Sequence, residues 1–225
     1  MINKNIFVAC DVSSHKEALN LLDLIHKDIS GIKIGLQYIT QSSAEEIREL
    51  SKFKKPIFYD GKFFDIKNTL IESVKSLKNL NVNYATVHLL NGFDALKSAN
   101  QVAKEIDLNL LGVSVLTSFS DSDLEYLGFA NKVEDQVKKL IGIAMEANLY
   151  GVICSPLEVK MIKKIAPKLK CFTPGIRIGD AKDDQKRTMS ANEALKEGSD
   201  CLIIGRPITK GNPKENIKNI ISSLN

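Results

Sequence analysis

Pro56-Ile57-Phe58-Tyr59-Asp60-Gly61-Lys62-Phe63-Phe64-Asp65 begins with a short apolar run and then sets a lysine between two carboxylates. The run Pro56–Tyr59 reads as a buried strand. From Ile66 to Leu77 apolar residues recur at three- and four-residue spacing, the period of an amphipathic helix. Strand, charged turn and helix make one βα unit, and Asp60, Lys62 and Asp65 are expected where the strand gives way to a loop. An arbitrary D-x-K-x-x-D is more often a solvated turn than a site, so the neighbouring units decide what this one means.

The same unit recurs along the chain. Further strands are predicted at Ile6–Cys10, Gly31–Gly35, Tyr84–His88, Leu110–Leu116, Gly151–Cys154, Lys170–Thr173 and Cys201–Ile204. Helical spacing marks Lys16–His26, Ser43–Ser51, Asp94–Glu105, Val133–Ala147, Leu157–Ile165 and Ala191–Lys196. The stretches bridging the strands are too long for hairpins and suit right-handed crossovers. Eight such units in 225 residues predict an α/β chain folded as a single (β/α)8 TIM barrel over residues 1–225. An open doubly wound sheet would want G-x-G-x-x-G after its first strand, and here that turn is Asp11-Val12-Ser13-Ser14.

With 44% hydrophobic and 26% charged residues, the composition is that of an ordinary globular protein able to bury a core. The formal charge of +4 is scattered rather than blocked, which implies neither nucleic-acid nor anionic-membrane binding. The N-terminus meets Asp11 too early for a signal peptide, and no apolar stretch approaches the ~20 residues that span a bilayer. Cys10, Cys154, Cys171 and Cys201 lack paired C-x-x-C spacing and each lies in or beside an apolar run, so they read as small buried residues rather than zinc ligands. A cytoplasmic, reduced protein fits these features.

In a βα barrel the chemistry collects at the C-terminal strand ends. Read in order, those ends carry Asp11, Lys33 (inside its short strand), Asp60 and Lys62, His88, Thr117 and Ser118, Ser155, Arg177, and Gly205 with Arg206. Loops after strands seven and eight are the usual phosphate cradle of this architecture. Gly175 and Gly205 would let backbone N–H groups approach an anion, and Arg177 and Arg206 would supply planar charged forks. His15 and His26 suit packing or solvent. His88 has no nearby partner in sequence, so a metal site is not expected. Neither G-x-S-x-G nor G-x-x-x-x-G-K-[ST] is present.

Asp60-Gly61-Lys62-Phe63-Phe64-Asp65-Ile66-Lys67-Asn68-Thr69 resembles the D-x-K-x-x-D-I-x-x-T signature of the orotidine 5′-phosphate decarboxylase family. The likeness also takes in Val8–Asp11, Gly31–Gly35, Val115–Ser118, Thr173–Arg177, Asp184–Arg187 and Ile204–Thr209. Lys67, where the family often has proline or glycine, and Thr188-Met189-Ser190-Ala191, in place of a Thr-Pro helix start, depart from the pattern. The resemblance implies a homodimer of barrels that converts orotidine 5′-monophosphate to uridine 5′-monophosphate and CO2, the last step of de novo pyrimidine synthesis. It implies no metal and no organic cofactor. Carried over, Asp11 and Lys33 hold the ribose hydroxyls, and Lys33, Asp60, Lys62 and Asp65 form the catalytic array. Asp65, Ile66 and Thr69 would reach into the partner subunit's site. Thr117 would contact the pyrimidine, while Arg177, Gln185, Gly205 and Arg206 would hold the phosphate under a loop from Gly175 to Gln185.

That chemistry suits these residue types. Loss of CO2 from C6 leaves electron density in an sp2 orbital that no adjacent carbonyl can delocalise. A fixed ammonium beside C6 stabilises it and can deliver a proton. Flanking carboxylates favour the charged form of such a lysine. Two rival readings remain. A magnesium-dependent 3-keto-gulonate-phosphate decarboxylase or hexulose-phosphate synthase would want a glutamate on strand two, where this chain has Lys33. A silent nucleotide-binding barrel would be expected to have lost part of the charged array.

Overall fold

The computed structural model describes residues 5–177 and 187–224. Eight parallel strands close into a barrel: β1 (Ile6–Ala9), β2 (Gly31–Gly35), β3 (Ile57–Phe63), β4 (Tyr84–His88), β5 (Asn109–Val113), β6 (Gly151–Ile153), β7 (Lys170–Thr173) and β8 (Cys201–Ile204). Each strand pairs with the next, and β8 pairs with β1 to complete the ring. The predicted (β/α)8 architecture is thus the observed one.

Alternation along the strands sorts side chains into two layers. Phe7, Ala9, Phe58, Leu111, Phe172, Cys201 and Ile203 form one cluster, with Tyr84 and Ile153 against it, and this fills the barrel interior. Their strand neighbours, among them Ile6, Val8, Ile32, Ile34, Ile57, Ala85 and Val87, belong to the larger core beneath the helices. The four cysteines are free and buried, as the sequence suggests.

Helix starts are written locally. Ser14 accepts from the Glu17 N–H at the head of His15–Ile25, and Ser43 with Glu46 forms a capping box ahead of Ala44–Glu49. Ser190 and Glu193 repeat the box ahead of Ala191–Lys196. Lys54, Asn81, Asp107 and Asn148 take left-handed backbone where helices turn back toward strands. His15 bridges the Tyr38 hydroxyl at 2.7 Å and Glu49 at 2.9 Å, a packing role of the kind anticipated. Among the described residues no helix is long and apolar enough to cross a membrane.

One boundary needs correction. β3 does not stop at Tyr59 but runs to Phe63, so Asp60 and Lys62 lie within a strand and only Asp65 falls beyond it. The register with β4 shifts between Tyr59 and Phe63, and Lys62 sits at φ 47°. Such a bulge re-aims a side chain while pairing continues on either side. Three short helices, Leu36–Ile39, Asp121–Tyr126 and Arg206–Thr209, also go beyond the sequence reading.

Candidate active site

At the C-terminal mouth of the barrel lies a cavity of about 840 Å3. Its lining draws Asp11, Lys33, Asp60, Lys62, Thr117, Arg177, Gly205 and Arg206 into one space, although they come from six different strand ends. Gln37 and Lys210 line it too.

The centre is an alternating charge array. Lys33 Nζ lies 3.1 Å from Asp11 Oδ1 and 3.4 Å from Asp60 Oδ2. Lys62 Nζ reaches the same Asp60 oxygen at 2.8 Å. Asp60 is therefore shared by two ammonium groups, and both it and Lys33 are buried. Burial alone would push the Lys33 pKa down, but the Asp60 and Asp11 carboxylates outweigh it and leave the value above that of an ordinary lysine. Burial would likewise raise Asp60, yet Lys33 and Lys62 hold its carboxyl below the usual range.

β4 supports this array with groups that periodicity does not reveal. The Thr86 hydroxyl donates to Asp60 Oδ1 at 3.0 Å and accepts the Lys62 backbone N–H at 2.8 Å, tying the bulge to the neighbouring strand. His88 lies off the cavity lining, with its ring against Phe64. Burial and then the Lys62 charge lower its pKa. Glycine gives the array room: a Cβ on Gly35 would sit 2.5 Å from Asp11 Oδ1 and 2.8 Å from Lys33 Nζ.

Asp65, Ile66 and Thr69 are exposed, and none of them lines the cavity of their own chain. Ser118 and Ser155 do not line it either. Ser155 is buried, where its N–H bonds Glu158 and its hydroxyl bonds the Arg187 carbonyl. Arg187 pairs with Glu158 and donates to the carbonyls of Val115 and Leu116, bracing the wall that precedes Thr117. Burial outweighs that pairing and leaves the Glu158 pKa above an ordinary glutamate. At the other end of the cavity, Gly175 takes φ 81° and Arg206 opens a short helix directly after β8. Gln185, and with it most of the expected loop from Gly175, lies outside the described residues.

Comparison with known proteins bears on the family and the fold. A family model described as "Orotidine 5'-phosphate decarboxylase / HUMPS family" matches residues 4–220. Orotidine 5'-phosphate decarboxylase of Wolbachia sp. subsp. Brugia malayi (strain TRS) is 38% identical, with 97% of this chain and 98% of that one covered. The enzyme of the same name from Legionella pneumophila (strain Paris) is 36% identical, with 97% and 98% covered. Among solved structures, orotidine 5'-phosphate decarboxylase from Lactobacillus acidophilus superposes with a TM-score of 0.87 at 29% identity, covering 99% of this chain and 100% of that chain. Orotidine 5'-monophosphate decarboxylase from Methanocaldococcus jannaschii, complexed with inhibitor BMP, shares the fold at a TM-score of 0.81 and 24% identity, with 99% of each chain covered. Because the match spans the whole barrel and relatives at this identity align end to end, the chain belongs to the orotidine 5'-phosphate decarboxylase / HUMPS family.

Proposed function

We propose that this protein decarboxylates orotidine 5′-monophosphate to uridine 5′-monophosphate and CO2 without a metal or organic cofactor. The observation that carries the reading is the buried Lys33–Asp60–Lys62 array in a cavity that also receives Arg177, Gly205 and Arg206. The arginine end takes the 5′-phosphate, Asp11 and Lys33 take the ribose hydroxyls, and Thr117 meets the pyrimidine. Lys62 then faces C6. As the C6–carboxylate bond breaks, its electron pair stays on C6 beside the Lys62 ammonium, which stabilises it and donates the proton that completes the product. Lys62 regains a proton from solvent. Asp60 is in place before substrate arrives, so its charge need not reorganise during the reaction.

Lys33 separates this reading from a magnesium-dependent one. A hard cation needs oxygen ligands, and here an ammonium sits between Asp11 and Asp60. Asp65, Ile66 and Thr69 serve the partner subunit's cavity in a homodimer. Their exposure supports this, together with that of Phe64, Ile66, Leu90 and Phe93 on the same side of the barrel mouth.

The test is incubation with orotidine 5′-monophosphate while the loss of pyrimidine ultraviolet absorbance is followed, with and without EDTA. Turnover unaffected by EDTA is expected. Activity abolished by EDTA points instead to the magnesium-dependent chemistry, and no turnover points to a silent binding barrel. For the shared site, Lys62→Ala and Asp65→Ala homodimers should each be nearly inactive, and mixing them under subunit exchange should recover activity in the hybrid.

A further inference from the structure

Asp65 stands beyond the last paired residue of β3, on an exposed segment that also contains Phe64 and Ile66. A carboxylate meant to act in a neighbouring subunit needs a fixed direction, yet this segment has no ladder partner of its own. The structure shows what holds it. Asn91 closes the turn Leu89–Asn91 after β4, and its side chain is fully engaged. Its Nδ2 donates to the carbonyl of Phe63 at 2.9 Å and to that of His88 at 2.7 Å. Its Oδ1 accepts the Asp65 N–H at 3.0 Å.

One side chain therefore spans the end of β3, the end of β4 and the backbone of Asp65. Asp65 completes the turn by accepting the Ile66 N–H on its own Oδ1 at 2.7 Å, ahead of the helix Lys67–Ser76. Asn91 is itself held firmly, since Gly92 at φ 83° leads straight into the helix Phe93–Glu105 and accepts the Leu96 N–H. Lys62 is held separately, through Thr86. The two catalytic positions in the D-x-K-x-x-D segment are thus clamped by different residues, Thr86 on β4 and Asn91 in the turn that follows it.

We propose that Asn91 is a positioning residue for Asp65, fixing the backbone from which that carboxylate enters the partner subunit's site. The proposal rests on the shared-site reading above. It predicts an effect that depends on which chain carries the substitution. In a hybrid of Lys62→Ala and Asp65→Ala chains, the working cavity takes Lys62 from the second chain and Asp65 from the first. Asn91→Ala placed in the Asp65-donating chain should lower recovered kcat by about tenfold to a hundredfold, the cost of misplacing a group by about 1 Å. The same substitution in the Lys62-donating chain should change recovered activity by less than about twofold. Asn91→Asp, which removes both donated bonds while keeping the side chain's size, repeats the comparison if the alanine variant folds poorly.

Equal loss in both placements would mark a general folding requirement and overturn the proposal, as would no loss in either. If the parent hybrid, with Asn91 intact, recovers nothing, the shared-site reading fails and takes this proposal with it. Recovery in the parent hybrid that is indifferent to Asn91 placement refutes the positioning role alone.

Discussion

Asp60→Asn is the most informative single perturbation of the array. Two ammonium groups reach one Asp60 oxygen, at 3.4 Å for Lys33 and 2.8 Å for Lys62, so they stand no more than about 6 Å from each other. With an effective dielectric of about 20, each attraction to Asp60 is about 5 to 6 kcal/mol before any opposing cost. Burying the carboxylate offsets several kcal/mol of that, and Lys62, one-third exposed, is partly screened. Removing one member of a buried charge cluster then costs a net of about 3 to 5 kcal/mol. The asparagine can still accept from Thr86, so the loss reports charge rather than shape. Equilibrium urea unfolding at neutral pH reads it directly. The decisive companion is Asp60→Asn with Lys62→Ala: removing the second ammonium relieves the repulsion that the first change exposes, so the double variant should be more stable than Asp60→Asn alone. Stability unchanged within about 1 kcal/mol in Asp60→Asn, or strictly additive losses in the pair, would refute Asp60 as the electrostatic hub.

The remaining predictions follow from the same geometry. Because the folded-state pKa of Asp60 is depressed, its stabilisation is fully present above the unfolded carboxylate value of about 3.9 and is lost as pH falls through the lower folded value. The stability gap between wild type and Asp60→Asn, measured by urea titration, should therefore shrink from about pH 6 to about pH 3, and a constant gap would contradict the linkage. Arg206→Ala should lower kcat/KM on the phosphorylated nucleotide by about a hundredfold or more while leaving thermal unfolding unchanged, because remote binding energy is realised in the transition state. Undiminished kcat/KM removes Arg206 from the phosphate site. Gly35→Ala should separate Lys33 from Asp11, since the new Cβ would fall within 3 Å of both side chains, and a normal KM in that variant would show that their pairing is dispensable.

Much of the fold was legible because it is written in local patterns. Gly31–Gly35, Tyr84–His88, Lys170–Thr173 and Cys201–Ile204 are strands with the boundaries that their sequence suggests. Two others show how local reading misleads. Val115 and Leu116 are apolar but have left β5, since they line the cavity instead of pairing. Asp60-Gly61-Lys62 looks like a turn by propensity, yet Thr86 holds it against β4. The cavity residues were legible because a strand end is a place in sequence as well as in space. Thr86, Asn91, Glu158 and Arg187 were not, because each acts on backbone or side chains far along the chain, 71 residues away for the bond from Arg187 to Leu116. No period in a single sequence encodes such a contact.

The barrel interior explains why this charge array can exist at all. Along inward-facing positions the strands climb from aromatic to polar or charged: Phe7, Ala9 and Asp11 on β1 and its end, Phe58 and Asp60 on β3, Tyr84 and Thr86 on β4. Phe7, Phe58, Tyr84 and Phe172 meet edge to face or tilted, at centroid separations of 5.3 to 6.4 Å, and floor the barrel. β2 meets this floor with Gly31, where a Cβ would fall 2.2 Å from the Phe7 ring, and keeps its bulk for Lys33 one step higher. Such a floor excludes water from below the array, which strengthens the ion pairs above it and makes each unpaired charge costly. Lys33 and Asp60 are thus committed to one another before any substrate arrives. A ligand entering from the open face meets fixed charges that need no solvent rearrangement, and the apolar layer beneath them is as much a part of the proposed catalyst as the lysine proposed to face C6.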